Sequence, residues 1–311
     1  MTKNISKAFS PSGISSFFEI CDTSPNGNPI MDLERVGARG GGFAFKKGVL
    51  TQVNIKEAEK SSIKVFINER LAPEAETTMS VVQMLLERAD GNYAVEVRHK
   101  VDVPIGAGFG SSAGGALTTS LALAEALGLK LTYNQLGKIA HVAEVKCKTG
   151  LGTVGPLMIG GCLLTVEPGA PGTAIIDRIP ITEDYMIVAG VFGPTPTKEV
   201  LSSSERRLAV NKWGRKTLEK ILAEPSVENF LACCREFAEK TGFMTERVQK
   251  LIRIAHEAGA IGAAQNMVGE AVHAIVPLEN AERVTQAFKK VLPPEKVLVA
   301  EIDFQGARLI K

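Results

Sequence analysis

Residues 104–115 read Pro104-Ile-Gly-Ala-Gly-Phe-Gly-Ser-Ser-Ala-Gly-Gly115, and this stretch decides the fold prediction. It follows a near-alternating apolar run over residues 93–103, which predicts a strand, and it leads into an alanine- and leucine-rich run over residues 115–127, which predicts a helix. A glycine-rich turn between a strand and a helix aims unpaired backbone N–H groups and the positive end of the helix dipole at one point. The stretch therefore predicts a cradle for an anion such as a phosphate group.

Glycines and serines carry the chemistry of this predicted cradle. The glycines let the backbone approach an anion closely, and the two serines at the predicted start of the helix can cap it or lend a hydroxyl to a metal. The GxGxG spacing, without a following Lys, matches neither a GxxxxGK(S/T) loop nor the GxGxxG dinucleotide fingerprint. A plain connection between strand and helix is the alternative. The predicted phosphate-binding residues are Pro104, Gly106, Ala107, Gly108, Gly110, Ser111, Ser112 and Ala113.

Composition narrows the class of protein. The chain has 311 residues, of which 45% are hydrophobic, so it can bury a sizeable core and form about two domains. Its 36 basic and 34 acidic side chains include no long basic run, which argues against nucleic acid as a partner. Five cysteines without a CxxC pair, no secretory leader and no apolar run long enough to cross a bilayer predict a cytoplasmic protein without a membrane segment.

Hydrophobic periodicity predicts helices and strands in both halves of the chain and a domain boundary near residue 183, giving domains 1–183 and 184–311, the first holding the phosphate loop. In the first domain the predicted strands are residues 6–10, 17–21, 42–45, 51–57, 63–67 and 93–101. Turns are predicted at 25–29, 39–42 and 90–92, and helices at 76–89, 115–127 and 133–148. In the second domain the predicted order is a strand at 185–191, helices at 198–211, 213–223, 227–240 and 244–256, two strands within 260–276, a helix at 279–291 and a strand at 297–302.

Residues 104–114 resemble the second motif of the GHMP kinase superfamily, PxGxGLGSSAA, with Phe109 in place of Leu and Gly114 in place of the last Ala. That superfamily includes galactokinase and the homoserine, mevalonate and phosphomevalonate kinases. Residues 8–18 are similar to its first motif and residues 259–271 to a weaker version of its third. With the segments 37–43 and 149–154, the chain most resembles the archaeal pantoate kinases, over nearly its whole length.

The resemblance implies ATP-dependent, Mg²⁺-assisted phosphorylation of (R)-pantoate to 4-phosphopantoate, a step towards coenzyme A. It implies an α+β fold, with an N-terminal domain like ribosomal protein S5 domain 2, a ferredoxin-like C-terminal domain and a site in the cleft between them. Ser112 corresponds to a Mg²⁺ ligand of mevalonate kinases, and Glu144 lies in the helix that supplies their metal-bound carboxylate. The alternative for Glu144 is a solvated glutamate on an amphipathic helix. A small-molecule substrate and ATP are the expected partners, and a homodimer is a further expectation.

The chain departs from the superfamily pattern at two positions. Thr153 stands where mevalonate-type kinases have an Asp, seven residues before a Gly-Gly pair, and Gly13 stands where they place a Lys or pantoate kinases often a His. Phosphoryl transfer depends mainly on positioning and charge stabilisation, while a general base contributes roughly 10²- to 10⁴-fold, so we expect slow catalysis without the Asp. Homoserine kinases resemble this chain in lacking that Asp. The Thr153 hydroxyl is predicted to hydrogen-bond the attacking alcohol and align it.

A pantoate-like substrate needs a cation for its carboxylate, and Arg39 and Lys198 are the predicted ones because both lie in predicted loops. A solubilising role at the surface is the alternative for each. Two other functions stay open at this point. The chain could act on mevalonate or homoserine, or it could bind nucleotide without turnover. The intact Ser111 and Ser112 pair favours a catalyst over the non-catalytic homologue.

Overall fold

The computed structural model describes residues 4–193 and 204–311, which form two β-sheets with helices packed on them. The strands are β1 (Ile5–Cys21), β2 (Gly37–Glu57), β3 (Ser62–Ile67), β4 (Arg70–Leu71), β5 (Tyr93–Val101), β6 (Cys162–Glu167), β7 (Ile175–Ile179), β8 (Tyr185–Gly193), β9 (Gly262–Gln265), β10 (Glu270–Pro277), β11 (Val297–Glu301) and β12 (Arg308–Ile310). The helices are α1 (Glu76–Leu86), α2 (Ser111–Leu127), α3 (Tyr133–Cys147), α4 (Val154–Ile159), α5 (Ser204–Ala223), α6 (Val227–Lys240), α7 (Glu246–Glu257) and α8 (Ala281–Lys289). The predicted α+β class is confirmed.

The first sheet has the strand order β12-β1-β2-β5-β3-β4, with β6 paired to β2 and β7 paired to β6. Strands β1 and β2 pair along almost their whole length, and their register shifts at bulges beside Pro11 and Ser15. The sequence predicted each as two short strands, with a turn at residues 39–42, and this was wrong. Residues 40–42 are hydrogen-bonded on both edges, to β1 and to β6, and this pairing overrides the turn signal of their glycines.

The second sheet has the order β11-β8-β10-β9 and is antiparallel throughout. Helices α7 and α8 pack on it through a core that includes Val248, Leu251 and Phe288. The chain then returns to the first sheet, where β12 pairs with β1 at Ile310 and Lys7. The first sheet therefore takes residues 5–179 and 308–310, and the division at residue 183 stays a prediction.

Helices α1, α2 and α3 cover one face of the first sheet around buried residues such as Val97 and Leu117. Between the two sheets lies a second core in which aromatic rings from β1, β2 and α6 meet edge to face, with the Phe43 and Phe230 centroids 5.3 Å apart. In the described ranges, no helix has both the length and the hydropathy that a bilayer span requires. This packing holds β1, β2 and the N-terminus of α2 side by side.

Helix α5 runs unbroken along the second half of β1. The sequence predicted separate helices at 198–211 and 213–223; residues 198–203 lie outside the described residues, and the predicted break at Lys212 is wrong. The Asn211 side chain accepts a hydrogen bond from the Ile20 N–H (2.9 Å) and donates one to the Ile20 carbonyl (3.2 Å). These contacts across the predicted break hold the helix against the strand.

Candidate active site

The predicted phosphate loop leads into α2, which begins at Ser111 as expected. Gly110 is the N-cap residue, with a left-handed φ of 64°, and Gly106 and Gly108 have φ of 78° and 80°. No side chain in the described ranges caps this helix end, so the backbone N–H groups of its first turn keep their hydrogen-bonding capacity. The loop can therefore present these donors, together with the helix dipole, to an anion.

The segments that resemble the three motifs meet at this loop. The Gly13 N–H donates to the Phe109 carbonyl (3.2 Å), which ties β1 to the loop. The Met267 N–H donates to the Ser15 carbonyl (2.7 Å), so the segment after β9 joins β1 as well. The Phe109 ring is buried against Phe45, with centroids 5.9 Å apart, so the change from Leu to Phe here serves packing.

Ser112 and Glu144 lie in direct contact. The Ser112 Oγ donates to Glu144 Oε1 (2.6 Å), and the Thr149 hydroxyl donates to the same oxygen (2.9 Å). Burial raises the pKa of the Glu144 carboxyl, while the two hydroxyl donors act in the opposite direction. Glu144 is only 3% exposed, so the alternative of a solvated glutamate is wrong: Glu144 lies on the inner face of α3.

The backbone after α3 is shaped around this carboxylate. A Cβ atom on Gly150 would lie 2.2 Å from Glu144 Oε2, so only glycine allows the carboxylate to rest there. The Thr149 hydroxyl is also 2.9 Å from that of Thr77, which links the segment to α1. Both contacts fix the orientation of Glu144.

This pair of side chains fits a divalent cation. A hydroxyl and a carboxylate are hard oxygen ligands of the kind that Mg²⁺ takes from proteins, usually together with phosphate oxygens of the substrate. In the part of the chain that the structure describes, no cationic side chain partners the buried carboxylate of Glu144. A bound Mg²⁺ would supply the missing positive charge.

Thr153 lies between the loop and β1. Its methyl group would be 2.9 Å from a Cβ on Gly110 and 3.6 Å from one on Gly13, so it packs against both glycines. Thr153 is the N-cap residue of α4, yet its hydroxyl makes no cap bond and has no other partner among the described residues. The two positions where the chain departs from the superfamily pattern are therefore neighbours, and between them a free hydroxyl is available.

A cavity of about 850 Å³ connects these groups, which is within the size range of small-molecule sites. Ser111, Ser112 and residues 149–153 are among the residues that line it. Phe17, Phe43 and other apolar groups line it as well. The cavity therefore combines hydroxyl groups next to the phosphate loop with a largely apolar lining.

Three cationic side chains among the described residues line this cavity, and two are already paired. Arg39 contacts Glu19 (3.4 Å) and Glu167 (3.1 Å), and Arg207 pairs with Asp22. The positive charge of Arg39 is thus already balanced by neighbouring carboxylates. Its role in binding the carboxylate of a substrate stays a prediction. Lys198 lies outside the described residues.

Three buried polar side chains, those of Ser16, Asn266 and His273, form a hydrogen-bonded network beside the cavity. His273 Nδ1 lies 2.9 Å from Asn266 Oδ1, and its Nε2 lies 3.0 Å from Ser16 Oγ. Burial lowers the pKa of His273 to about 3, so the ring is neutral; a proton on Nδ1 then satisfies both contacts. This network connects β1 and β10 with the segment at Met267, which lines the cavity.

Sequence reasoning missed several of these residues. Thr149 belongs to a segment already noted for its resemblance, but its contact with Glu144 has no sequence signal. Ser16 is far from His273 in the sequence, and the two meet only where the two sheets pack together; Asn266 lies close to His273 and meets it through the pairing of β9 with β10. Lys148 and Arg207 also line the cavity, and nothing in the sequence separates them from other basic residues.

Comparison with known proteins gives a consistent result. The family described as GHMP kinases N terminal domain matches residues 76–161. The chain is 34% identical to the pantoate kinase of Thermococcus kodakarensis over 93% of each chain. It is 30% identical to that of Methanocaldococcus jannaschii over 90% of this chain and 96% of the relative. A solved structure described as a phosphotransferase related to the CoA biosynthesis pathway superposes with a TM-score of 0.87, at 32% identity and 98% coverage of both chains.

Proposed function

This chain belongs to the pantoate kinase branch of the GHMP kinase family, and from that premise we propose that it transfers the γ-phosphoryl group of ATP to the 4-hydroxyl of (R)-pantoate. The observation that carries the proposal is the largely apolar cavity lined by the glycine loop and by Ser112, whose hydroxyl contacts the buried Glu144 carboxylate. The product is 4-phosphopantoate, an intermediate on a route to coenzyme A, made in the cytoplasm.

The phosphate side of the reaction uses backbone and oxygen groups. The N–H groups of the first turn of α2 hold the phosphates of ATP, and the glycines allow the approach. Ser112 and Glu144 would hold Mg²⁺, which neutralises charge on the phosphates when bound. Because the transition state is loose, this positioning and charge balance supply most of the catalysis.

On the acceptor side, Thr153 stands where mevalonate-type kinases have a carboxylate. The free Thr153 hydroxyl accepts a hydrogen bond from the 4-hydroxyl and aligns it with the phosphorus. Phe17 and Phe43 offer an apolar wall to the geminal methyl groups of pantoate. Arg39 and Arg207, which also line the cavity, would divide their guanidinium N–H donors between their paired carboxylates and the substrate carboxylate.

The Thr153→Val variant tests the aligning role. It keeps the methyl contact with Gly13 and Gly110 but removes the hydroxyl, so we expect kcat to fall by about 3- to 10-fold, the usual worth of one neutral hydrogen bond. The KM for ATP should stay unchanged. Thr153→Ser is the control and should retain kcat, and a wild-type kcat in Thr153→Val would reject the role.

An acceptor panel tests the proposed function. Purified protein is incubated with Mg²⁺, ATP and either pantoate, mevalonate, homoserine or no acceptor, and ADP formation is followed. We expect turnover with pantoate alone. Turnover only with another acceptor would assign a different kinase of the same family, and ATP binding without any turnover would indicate a non-catalytic homologue.

Light scattering on the same sample tests the proposed homodimer.

A further inference from the structure

Lys148 is a cation of the cavity wall that has no ion pair within the described part of the chain. Among the residues that the structure describes, it lines the wall together with Arg39 and Arg207, but it alone has no carboxylate partner. An ammonium group on a long flexible stem can reach a ligand without first breaking an ion pair. The cavity therefore contains one cation whose charge is available at no cost in lost contacts.

The position of Lys148 relates it to the phosphate loop. It is the residue immediately before Thr149, whose hydroxyl shares Glu144 Oε1 with Ser112. Lys148, Ser111 and Ser112 all line the cavity, and Lys148 is exposed. Its side chain thus starts on the segment that faces the N-terminus of α2.

Local charge favours a cation at this point. Lys148 is the C-cap residue of α3, the helix that carries Glu144, so the Glu144 carboxylate and the negative end of the helix dipole are near its backbone, and both repel phosphate. ATP brings several further negative charges. Among the described residues, Lys148 is the cavity-lining cation without a carboxylate partner, so it can offset this repulsion.

The backbone of Lys148 gives an independent reason for a role of its side chain. It ends α3 in the left-handed region, with φ of 57°, a conformation that Gly or Asn adopts more readily than Lys. A lysine here is the less stable choice for the helix end. A ligand contact of the ammonium group can offset this backbone cost.

We infer that Lys148 is a further binding residue of the site, whose ammonium group contacts the outer phosphates of ATP and stabilises charge on the transferred group. The inference rests on the proposed function, because it takes ATP as the ligand. In this role Lys148 supplies a positive charge of the kind that the chain lacks at Gly13.

A purely structural role predicts different behaviour. A lysine at the end of a helix can also serve the helix dipole, and Lys146, exposed in the last turn of α3, shares that function without lining the cavity. Lys146→Met is therefore the matched control. Lys148→Gly separates the two roles further, because glycine relieves the left-handed backbone while removing the ammonium group.

The test compares wild type, Lys148→Met, Lys148→Gly, Lys148→Arg and Lys146→Met by calorimetric titration with ATP and Mg²⁺, by steady-state kinetics and by thermal unfolding. We expect Lys148→Met and Lys148→Gly to weaken ATP binding about 10-fold and to lower kcat, with the KM for pantoate unchanged. Lys148→Arg should retain most of the affinity. Lys148→Gly should unfold at a higher temperature than wild type despite its weaker ATP binding.

Wild-type ATP affinity in both Lys148→Met and Lys148→Gly overturns the inference, as does an equal loss in Lys146→Met, which would indicate a general charge effect. A loss confined to the KM for pantoate also overturns it, because the ammonium group would then contact the substrate carboxylate. If the wild type itself binds no ATP, the proposed function fails and the inference fails with it. Failure of the inference alone leaves wild-type ATP binding and turnover intact.

Discussion

Replacing Glu144 by Gln is expected to lower kcat/KM by about 10²- to 10³-fold, the largest effect of any single substitution in this cavity. The amide keeps the size of the side chain and can still accept from Ser112 and Thr149, but it removes the negative charge that would hold Mg²⁺. The apparent affinity for Mg²⁺, measured from the metal dependence of the rate, should fall in parallel.

Thermal unfolding separates this effect from a loss of structure. Because burial raises the pKa of Glu144, its ionised form destabilises the folded protein, and stability falls as the pH rises from the ordinary pKa of a glutamate to the raised value. Without metal, Glu144→Gln should therefore unfold at the same or a higher temperature than wild type at neutral pH. Glu219→Gln, at an exposed position of α5, is the control and should change neither activity nor stability. A Glu144→Gln enzyme with wild-type kcat/KM would contradict the assignment of Glu144.

Replacing Gly110 by Ala is expected to weaken ATP binding by about 10²-fold, equivalent to losing two charge-assisted hydrogen bonds. Gly110 has φ of 64°, and an added Cβ would lie 2.9 Å from the Thr153 methyl and 3.2 Å from the Gly13 carbonyl oxygen. Relief of this strain would turn the first N–H groups of α2 away from the phosphates. Calorimetric titration with ATP measures the loss.

Gly128→Ala is the matched control for Gly110→Ala. Gly128 ends the same helix with φ of 70°, and an added Cβ would meet nothing within 4 Å. Both variants should lose about 1 kcal/mol of folding stability from the left-handed alanine, but only Gly110→Ala should lose ATP affinity. Equal ATP affinities in the two variants would remove the loop from the binding site.

Local sequence signals predicted some elements with the bounds that the structure has. The strand at residues 93–101 and the helix at 227–240 match β5 and α6, because their periodicity agrees with their burial. The turn predicted at residues 39–42 failed for the opposite reason. Those residues have little preference of their own, and pairing with β1 and β6 decides their conformation.

The site was predictable where it is local and not where it depends on tertiary contacts. The glycine loop and Ser112 follow from one stretch of sequence. The burial of Glu144 depends on Gly150, and the supporting role of His273 depends on its contacts with Ser16 and Asn266 across the sheets. Strand β12 was missed because three residues carry no periodicity, and its pairing with β1 holds it in place.

The most direct test of the proposed kinase is the ³¹P spectrum of the product formed from ATP, Mg²⁺ and (R)-pantoate. A phosphomonoester on the 4-hydroxyl is bonded to a CH₂ group, so the account predicts a new signal that splits into a triplet without proton decoupling and grows in step with ADP. A doublet would place the phosphate on the secondary 2-hydroxyl. A doublet, or no phosphomonoester signal under conditions in which ATP binds, would contradict the account.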